Sequence, residues 1–186
     1  MPKGEVSTKG IVEDALQQGK QVFVPYLYQA QLREQSKPRS VMDMVSLHSK
    51  HDYQNLKSDT WGIPTPSEES IPYRHRVLES QSDEDKGNGE IISGKIVGKQ
   101  ALDVIVMPGM AFDRSFGRLG HGKGFYDYFL ERYHDSKAGP MPFLVGLALD
   151  MQLLPEDQVI PTDASDWKLD ALVVGDGTVL RKAVDS

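Results

Sequence analysis

Three short, continuously apolar runs in the second half of the chain constrain the fold more than any other feature. They are LDVIVMPG (102–109), PFLVGLALD (142–150) and LDALVVGDG (169–177). Runs of this kind predict strands that are covered on both faces. An aromatic-rich helical pattern begins near Gly124, after the first run. Because strands alternate with helices, we predict an α/β fold with a mostly parallel sheet.

The N-terminal segment predicts one helix followed by one strand. STKGIVEDALQQGK (7–20) has an apolar stripe at helical spacing, and Gly19 is a suitable end for the helix. QVFVPYLY (21–28) is rich in β-branched and aromatic residues. We predict a strand here, and we expect Pro25 to stop it because proline cannot donate to a sheet.

The middle of the chain predicts one further strand and two irregular regions. MDMVSL (42–47) alternates weakly and favours a strand, whereas TWGIPTPSEESIPYR (60–74) predicts an ordered loop. The acidic, glycine-containing stretch over 79–94 is the best candidate for a mobile insertion. A length of 186 residues predicts one domain, spanning 1–186.

The stretch GRLGHGKGFYDYFL (117–130) comes close to a known phosphate-binding motif without matching it. Gly117, Gly122 and Lys123 fit the first seven positions of G-x-x-x-x-G-K-[ST]. Gly124 stands where that motif needs a hydroxyl for magnesium, so the chain is not a P-loop NTPase. The dinucleotide fingerprint G-x-G-x-x-G also fails, because Asp127 stands at its last position.

The residues of this stretch nevertheless suit an anion. Alternating glycines let consecutive N–H groups turn inward, and a helix that starts near Gly124 adds its positive end. Arg118 and Lys123 supply full charges, and Asp127, one turn into the helix, could hold magnesium. The alternative is a flexible turn with solvated charges. The residues alone leave both interpretations open.

Several other residues are weaker candidates. Asp113 could orient the loop or cap a turn, and capping is favoured. An acidic cluster near the C-terminus is either solvated or supplies a second metal carboxylate: Asp163, Asp166 and Asp170. Trp167 suits core packing better than stacking on a ligand. The histidines have no metal-site spacing, and no G-x-S-x-G motif indicates a hydrolase triad.

Composition excludes several classes of function. The chain has no cysteine, which excludes disulfides, thiolate metal sites and a cysteine nucleophile. A net charge of −6 argues against general nucleic-acid binding. No apolar run approaches the roughly 20 residues that a membrane helix needs, and the N-terminus lacks the pattern of a signal or transit peptide.

The segment DVIVMPGMAFDRSFGRLGHGKGFYDYFL (103–130) resembles the signature of the 5-formyltetrahydrofolate cyclo-ligase (methenyltetrahydrofolate synthetase) family. VFVPYLY, MDMV, TWGIPTP and SDWKLDALV extend the resemblance over nearly the whole chain. It implies a three-layer α/β/α sandwich, Rossmann-like, with a mostly parallel sheet. It also implies ATP- and Mg²⁺-dependent conversion of 5-formyltetrahydrofolate to 5,10-methenyltetrahydrofolate, with release of ADP and phosphate.

The resemblance also implies roles for individual residues. Lys123 and Arg118 would be catalytic, acting on the transferred phosphoryl group, and Asp127 and Asp166 would bind magnesium. The nucleotide would contact Arg118, Leu119, Gly120, His121, Gly122, Lys123, Gly124, Phe125 and Tyr126. The folate would contact Glu5, His121, Gly122, Lys123, Gly124 and Phe125. His121 and Phe125 depart from the usual family pattern, in which an arginine and a tyrosine are common at these positions.

Family members usually begin with a basic helix and a strand that this sequence lacks, so a truncated N-terminus is expected. The alternatives are therefore a non-catalytic folate- or nucleotide-binding relative, an inactive truncated isoform, or an unfavoured nucleic-acid-binding domain. We expect a cytoplasmic monomer with a small-molecule substrate and neither nucleic-acid nor membrane partners. A mitochondrial location is expected instead if a targeting segment precedes Met1.

Overall fold

The computed structural model describes residues 6–30, 39–58, 62–78, 101–137 and 139–183. The chain divides into two compact units, one mainly within residues 7–101 and the other mainly within 102–135 and 140–186. The predicted insertion at 79–94 lies outside the described residues, and the single domain stays a prediction. None of the described helices is long and apolar enough to cross a membrane.

The first unit begins with the predicted helix, α1, which spans Lys9–Gln17. Gly19 follows it with a φ of 71°, in the left-handed conformation that commonly ends helices. The amide of Lys20 donates to the carbonyl of Ala15 at 3.0 Å and closes this end. Both the helix and its glycine stop are confirmed.

Two antiparallel strands follow, β1 (Phe23–Ala30) and β2 (Arg39–Ser46). Pro25 lies inside β1, opposite Met44, so the prediction that it would stop the strand was wrong. Within the described residues β1 pairs with β2 alone, and an unpaired edge tolerates a residue that has no N–H group. β2 carries buried side chains on both faces, including Met42 and Val45.

The remainder of this unit consists of short elements. They are the helix α2 (Lys50–Gln54), the paired strands β3 (Lys57–Ser58) and β4 (Pro64–Thr65), and a 3₁₀ turn at Glu68–Tyr73. The predicted loop over 60–74 is therefore more regular than expected, because β4 and the 3₁₀ turn both fall within it.

The Arg74 side chain connects several of these elements through hydrogen bonds. The side chain of Arg74 is 4% exposed and binds both carboxylate oxygens of Asp52, at 2.7 and 2.6 Å. The same guanidinium donates to the carbonyl of Ser46 at 2.7 Å and to the hydroxyl of Ser70 at 3.0 Å. The hydrogen bonds that Asp52 accepts from Arg74 lower the pKa of this carboxyl most, and the bond from the amide of His48 lowers it further.

The second unit is built on a four-stranded sheet that contains the three strands predicted from the apolar runs. Its strands are β5 (Val104–Met107), β8 (Phe143–Ala148), β9 (Ala171–Val174) and β10 (Val179–Arg181), in the order β10-β9-β8-β5. β5, β8 and β9 run parallel, and β10 is antiparallel to β9. This part of the chain is therefore mixed α/β, with parallel strands at its centre.

The connection from β5 to β8 contains three further elements of this unit. A short hairpin of β6 (Ala111–Phe112) and β7 (Arg118–Leu119) comes first, and the helix α3 (Phe125–Ser136) follows. Phe129, Leu130 and Tyr133 form the buried face of α3. The sequence did not predict the hairpin.

The burial of β5 differs from the prediction. Ile105 and Met107 are buried, but Val104 and Val106 are 55% and 36% exposed. One face of this strand is therefore open, although its composition suggested coverage on both sides. Successive side chains of a strand point to opposite faces, so an apolar run does not require that both faces are buried.

Candidate functional site

The glycine-rich stretch lies between a parallel strand and a helix, as predicted. It leaves the carboxyl end of β5, passes through the β6–β7 hairpin and enters α3 at Phe125. The amide of Tyr128 donates to the carbonyl of Gly124 at 2.9 Å, which is the first turn of the helix. The N–H groups before this turn have no carbonyl of their own helix to bind, so the positive end of α3 lies at the loop.

Gly122 and Gly124 give this loop its shape. Their φ angles are 69° and 63°, values that side-chain-bearing residues rarely adopt. A Cβ atom at either position would meet nothing within 4 Å, so the requirement for glycine here is conformational and not steric. Lys123, between them, is exposed and has no hydrogen-bond or ion-pair partner among the described residues.

Arg118, at the start of this loop, is held in place by its neighbours. One terminal nitrogen donates to Oδ2 of Asp127 at 2.6 Å, and the other donates to the carbonyl of Pro108 at 3.2 Å. The guanidinium also lies 5.9 Å from the centre of the Tyr126 ring. The side chain is 7% exposed, and within the described part of the chain its Nε has no acceptor. This arginine side chain is therefore buried, forms one ion pair and keeps one nitrogen, Nε, without a partner among the described residues.

Asp127 joins α3 to a distant segment. Its Oδ2 binds Arg118, and its Oδ1 accepts a hydrogen bond from the amide of Trp167 at 3.2 Å. Asp166, the other predicted metal ligand, therefore immediately precedes a residue that is bound to Asp127. The structure brings the segments of the two carboxylates together, although they are 39 positions apart in the sequence.

Asp166 is exposed and belongs to a small turn. Its Oδ2 accepts from the amide of Asp163 at 2.8 Å, and Asp163 in turn accepts from the hydroxyl and amide of Ser165. These two bonds, with the hydroxyl first, lower the pKa of Asp163. No group of three or more metal-ligating side chains occurs in the described ranges. Two carboxylates plus substrate oxygens are nevertheless a usual set for magnesium.

Asp113 confirms the prediction of a turn cap. It is 1% exposed, and one oxygen accepts from the amides of Ser115 and Gly117, both at 2.8 Å. The other oxygen accepts from the amide of Ile160 at 2.7 Å. Within this turn Phe116 has a φ of 65°, which is uncommon for a bulky residue. Asp113 therefore stabilises a strained turn directly before the glycine-rich loop.

The other residues with predicted ligand contacts fall into two groups. Those that lie consecutively in the loop and the first turn of α3 are Leu119, Gly120, His121, Gly122, Lys123, Gly124, Phe125 and Tyr126. Glu5, predicted to contact the folate, lies outside the described residues.

Sequence reasoning missed two contributors to this region. Gln152 donates to the carbonyl of Gly109 at 2.8 Å and accepts from the amide of Leu149, so it supports the start of the loop. Trp167 was expected to act through its side chain, but its backbone amide makes the contact with Asp127. Neither contact has a signal in the sequence, because each depends on tertiary structure.

The fold and the loop define an α/β protein in which a glycine-rich segment joins a parallel strand to a helix. Residues 1–79 and 89–175 match the model of the 5-formyltetrahydrofolate cyclo-ligase family. The chain belongs to this family, and the predicted resemblance is confirmed.

Individual relatives agree with the family match. The chain is 33% identical over 179 residues to a probable 5-formyltetrahydrofolate cyclo-ligase of Schizosaccharomyces pombe, covering 93% of the chain and 70% of the relative. It is 32% identical to the 5-formyltetrahydrofolate cyclo-ligase of Saccharomyces cerevisiae, covering 96% of the chain and 74% of the relative. The Arabidopsis thaliana relative, named as mitochondrial, is 32% identical, with 94% of the chain and 56% of the relative covered. The names of these relatives identify an enzyme class.

Proposed function

We propose that this chain catalyses the ATP- and Mg²⁺-dependent cyclisation of 5-formyltetrahydrofolate to 5,10-methenyltetrahydrofolate, with release of ADP and phosphate. Family membership and the names of the relatives support the cyclo-ligase class and a folate substrate. The single observation that carries the proposal is the glycine-rich loop at the N-terminus of a helix, with donors that have no partner among the described residues.

The donors of this loop fit a phosphate chain. Arg118 has a buried Nε without an acceptor among the described residues, and an unpaired buried donor is costly unless a ligand uses it. Lys123 is an exposed cation between two glycines with left-handed φ values, a backbone conformation that occurs in anion-binding nests. When bound, ATP supplies the phosphoryl group that turns the formyl oxygen into a leaving group.

In this proposal the chain contributes charge and position rather than a covalent nucleophile. Lys123 and Arg118 neutralise the negative charge that develops on the transferred group, which is the usual requirement of phosphoryl transfer. Asp127 and Asp166 would hold magnesium through carboxylate oxygens, the ligand type that this ion prefers. Asp127 would do so with Oδ1 and Oδ2 already oriented by Trp167 and Arg118.

Further features belong to the same proposal. The folate would lie against His121, Gly122, Lys123, Gly124 and Phe125, with Glu5 on the pterin. A three-layer α/β/α sandwich, a single domain and a cytoplasmic monomer complete it. The family match leaves residues 80–88 out, which supports an insertion within 79–94.

The direct test follows the near-ultraviolet absorbance of the methenyl product. Purified protein is mixed with 5-formyltetrahydrofolate, ATP and Mg²⁺, and the appearance of product should require all three. Lys123→Ala should abolish turnover without changing the thermal midpoint, because this exposed side chain has no hydrogen-bond or ion-pair partner among the described residues. Lys182→Ala removes another exposed cation, outside the loop, and should leave turnover unchanged.

Two results would contradict the proposal in different ways. Full turnover by Lys123→Ala would show that the phosphate loop has been assigned incorrectly. Folate binding in calorimetry without any ADP release would instead favour a non-catalytic relative.

A further inference from the structure

The carboxylate of Asp113 serves two separate parts of the chain. Its Oδ1 accepts from the amides of Ser115 and Gly117, which form the turn before Arg118. Its Oδ2 accepts from the amide of Ile160, 47 residues away. Both oxygens are used, and the side chain is 1% exposed. A single buried carboxylate thus joins the turn that precedes the loop to the segment that precedes Asp166.

The segment 160–169 is fastened at three amides. That of Ile160 binds Asp113, that of Trp167 binds Asp127, and that of Leu169 donates to the carbonyl of Phe116 at 3.0 Å. Two of the three acceptors, Asp113 and Phe116, belong to the same turn. The position of the residues between Ile160 and Trp167, Asp166 among them, therefore depends on that turn.

We propose that Asp113 is a positioning residue that fastens segment 160–169 to the glycine-rich loop, so that Asp166 and Asp127 act on one cation. The proposal rests on the magnesium site of the proposed function. Among the described residues Asp113 forms no hydrogen bond or ion pair with Arg118 or Asp127, and it acts through the backbone of Gly117 and Ile160.

Asp113→Asn should break one of the two attachments and keep the other. An asparagine has one carbonyl oxygen and one amino group, so it can accept at only one side of the former carboxylate. With its oxygen toward Ser115 and Gly117 it keeps two bonds and turns an amino group toward the amide of Ile160. Two donors then face each other, so the turn survives and segment 160–169 loses its attachment at Ile160, while the bonds of Trp167 and Leu169 stay in place.

The decisive experiment compares wild type, Asp113→Asn and a matched control, Asp176→Asn. Asp176 also caps a turn, through the amide of Thr178 at 2.7 Å, but it is exposed and binds no second segment within the described ranges. Three quantities are measured: hydrogen exchange of peptides over 160–169, binding of Mn²⁺ in the presence of ADP by electron paramagnetic resonance, and the Mg²⁺ concentration that half-saturates turnover.

We expect faster exchange over 160–169 in Asp113→Asn, with no change in β8. Mn²⁺ affinity should fall, and the half-saturating Mg²⁺ concentration should rise, by roughly ten- to a hundredfold, the usual cost of losing a group that orients a metal ligand. The control should match wild type in all three. A lower maximal rate with an unchanged metal requirement would overturn the proposal, because loss of folded protein alone lowers the rate and leaves half-saturation where it was.

The proposed function and the positioning role fail in distinguishable ways. If wild type forms no methenyl product, the proposed function fails, while exchange and Mn²⁺ binding still decide the role of Asp113. If Asp113→Asn does not fold, hydrogen exchange of the wild-type protein tests the positioning role of Asp113 instead. Mg²⁺ with ADP should then protect the amides of Ile160, Trp167 and Leu169 together, and protection of Trp167 alone would contradict the proposal.

Discussion

Two arginine–aspartate pairs, one in each unit, have similarly buried arginine side chains. They differ in how many nitrogens of the guanidinium are hydrogen-bonded. The Arg74 side chain is 4% exposed and the Arg118 side chain 7%, so burial does not separate them. Arg74 uses Nε and both terminal nitrogens, and it takes both oxygens of Asp52. Arg118 makes a single bond to Asp127 and leaves its Nε without an acceptor in the described ranges.

The number of hydrogen-bonded guanidinium nitrogens is therefore a criterion for separating a structural pair from a functional one. A guanidinium like that of Arg74, with all three nitrogens hydrogen-bonded within the fold, is poorly placed to bind a ligand, and removing it breaks four hydrogen bonds at once. A guanidinium with a free donor beside an open glycine loop carries a desolvation cost that a ligand would remove. We therefore assign Arg74 to stability and Arg118 to the proposed chemistry.

Arg74→Ala is the substitution with the largest expected effect. It leaves Asp52, the carbonyl of Ser46 and the hydroxyl of Ser70 without their partner, and we expect a loss of about 3 kcal/mol in the free energy of unfolding. Turnover per folded molecule should not change. Urea unfolding measures the first quantity and the methenyl assay the second.

Arg76→Ala is the control for this substitution. Arg76 lies over the ring of Tyr28 at 5.3 Å, and its loss should cost about 1 kcal/mol or less. Equal destabilisation by the two alanine variants would refute the special role of the Arg74–Asp52 pair.

Arg118→Lys should show the opposite profile. A lysine can still pair with Asp127 but has a single nitrogen in place of the three nitrogens of the guanidinium fork. We expect kcat/KM to fall about a hundredfold, equivalent to about 2.7 kcal/mol, while the thermal midpoint barely moves. Arg114→Lys changes an exposed arginine of the preceding turn and should be neutral. A large loss of stability with normal turnover would make Arg118 a second structural arginine.

Gly124→Ala tests the open loop beside Arg118. The φ of 63° costs an L-residue about 1 to 2 kcal/mol, although its Cβ would meet nothing. We therefore expect destabilisation of this size together with reduced turnover. Gly10→Ala, also in open space but within α1, should stabilise the protein by up to about 1 kcal/mol. Urea unfolding of both variants checks the signs, and the same sign for both would contradict the argument from conformation.

The smallest expected effect is a dependence of stability on pH. Hydrogen bonds from Arg74 hold the pKa of Asp52 below its ordinary value of 3.8 in the folded state. The resulting stabilisation is present above that ordinary value and is lost as the pH falls through the lowered pKa. Urea midpoints between pH 5 and pH 2 should show a shallower decline in Arg74→Ala than in wild type. Parallel curves would mean that the pair is not linked to protonation of Asp52.

The sequence predicted the parts of the molecule that local patterns determine. α1 with its Gly19 stop, the strand–loop–helix order around 117–130 and the cap at Asp113 each depend on residues within a few positions. It missed the β6–β7 hairpin, because strands of two residues have no detectable period. It also overestimated the burial of β5, because apolar composition does not show which face is covered.

The site was predicted as a set of residues but not as an arrangement. Arg118 and Asp127 had separate roles in the sequence interpretation, and their ion pair across nine positions follows from how β7 and α3 meet. The contact of Trp167 with Asp127 spans 40 positions and uses a backbone amide, which no side-chain pattern reveals. Their magnesium and phosphate roles stay predictions.

The glycines of the second unit should differ in which substitutions they accept. A side chain at Gly146 would come within 2.7 Å of Leu169 and 2.8 Å of Leu172, so saturation mutagenesis should recover almost nothing there. Gly122 and Gly124 restrict only the backbone, and asparagine enters the left-handed region more readily than other residues. A library selected for folding should therefore retain asparagine at these two positions but not at Gly146. The surviving substitutions would distinguish glycines needed for a backbone conformation from a glycine needed for space.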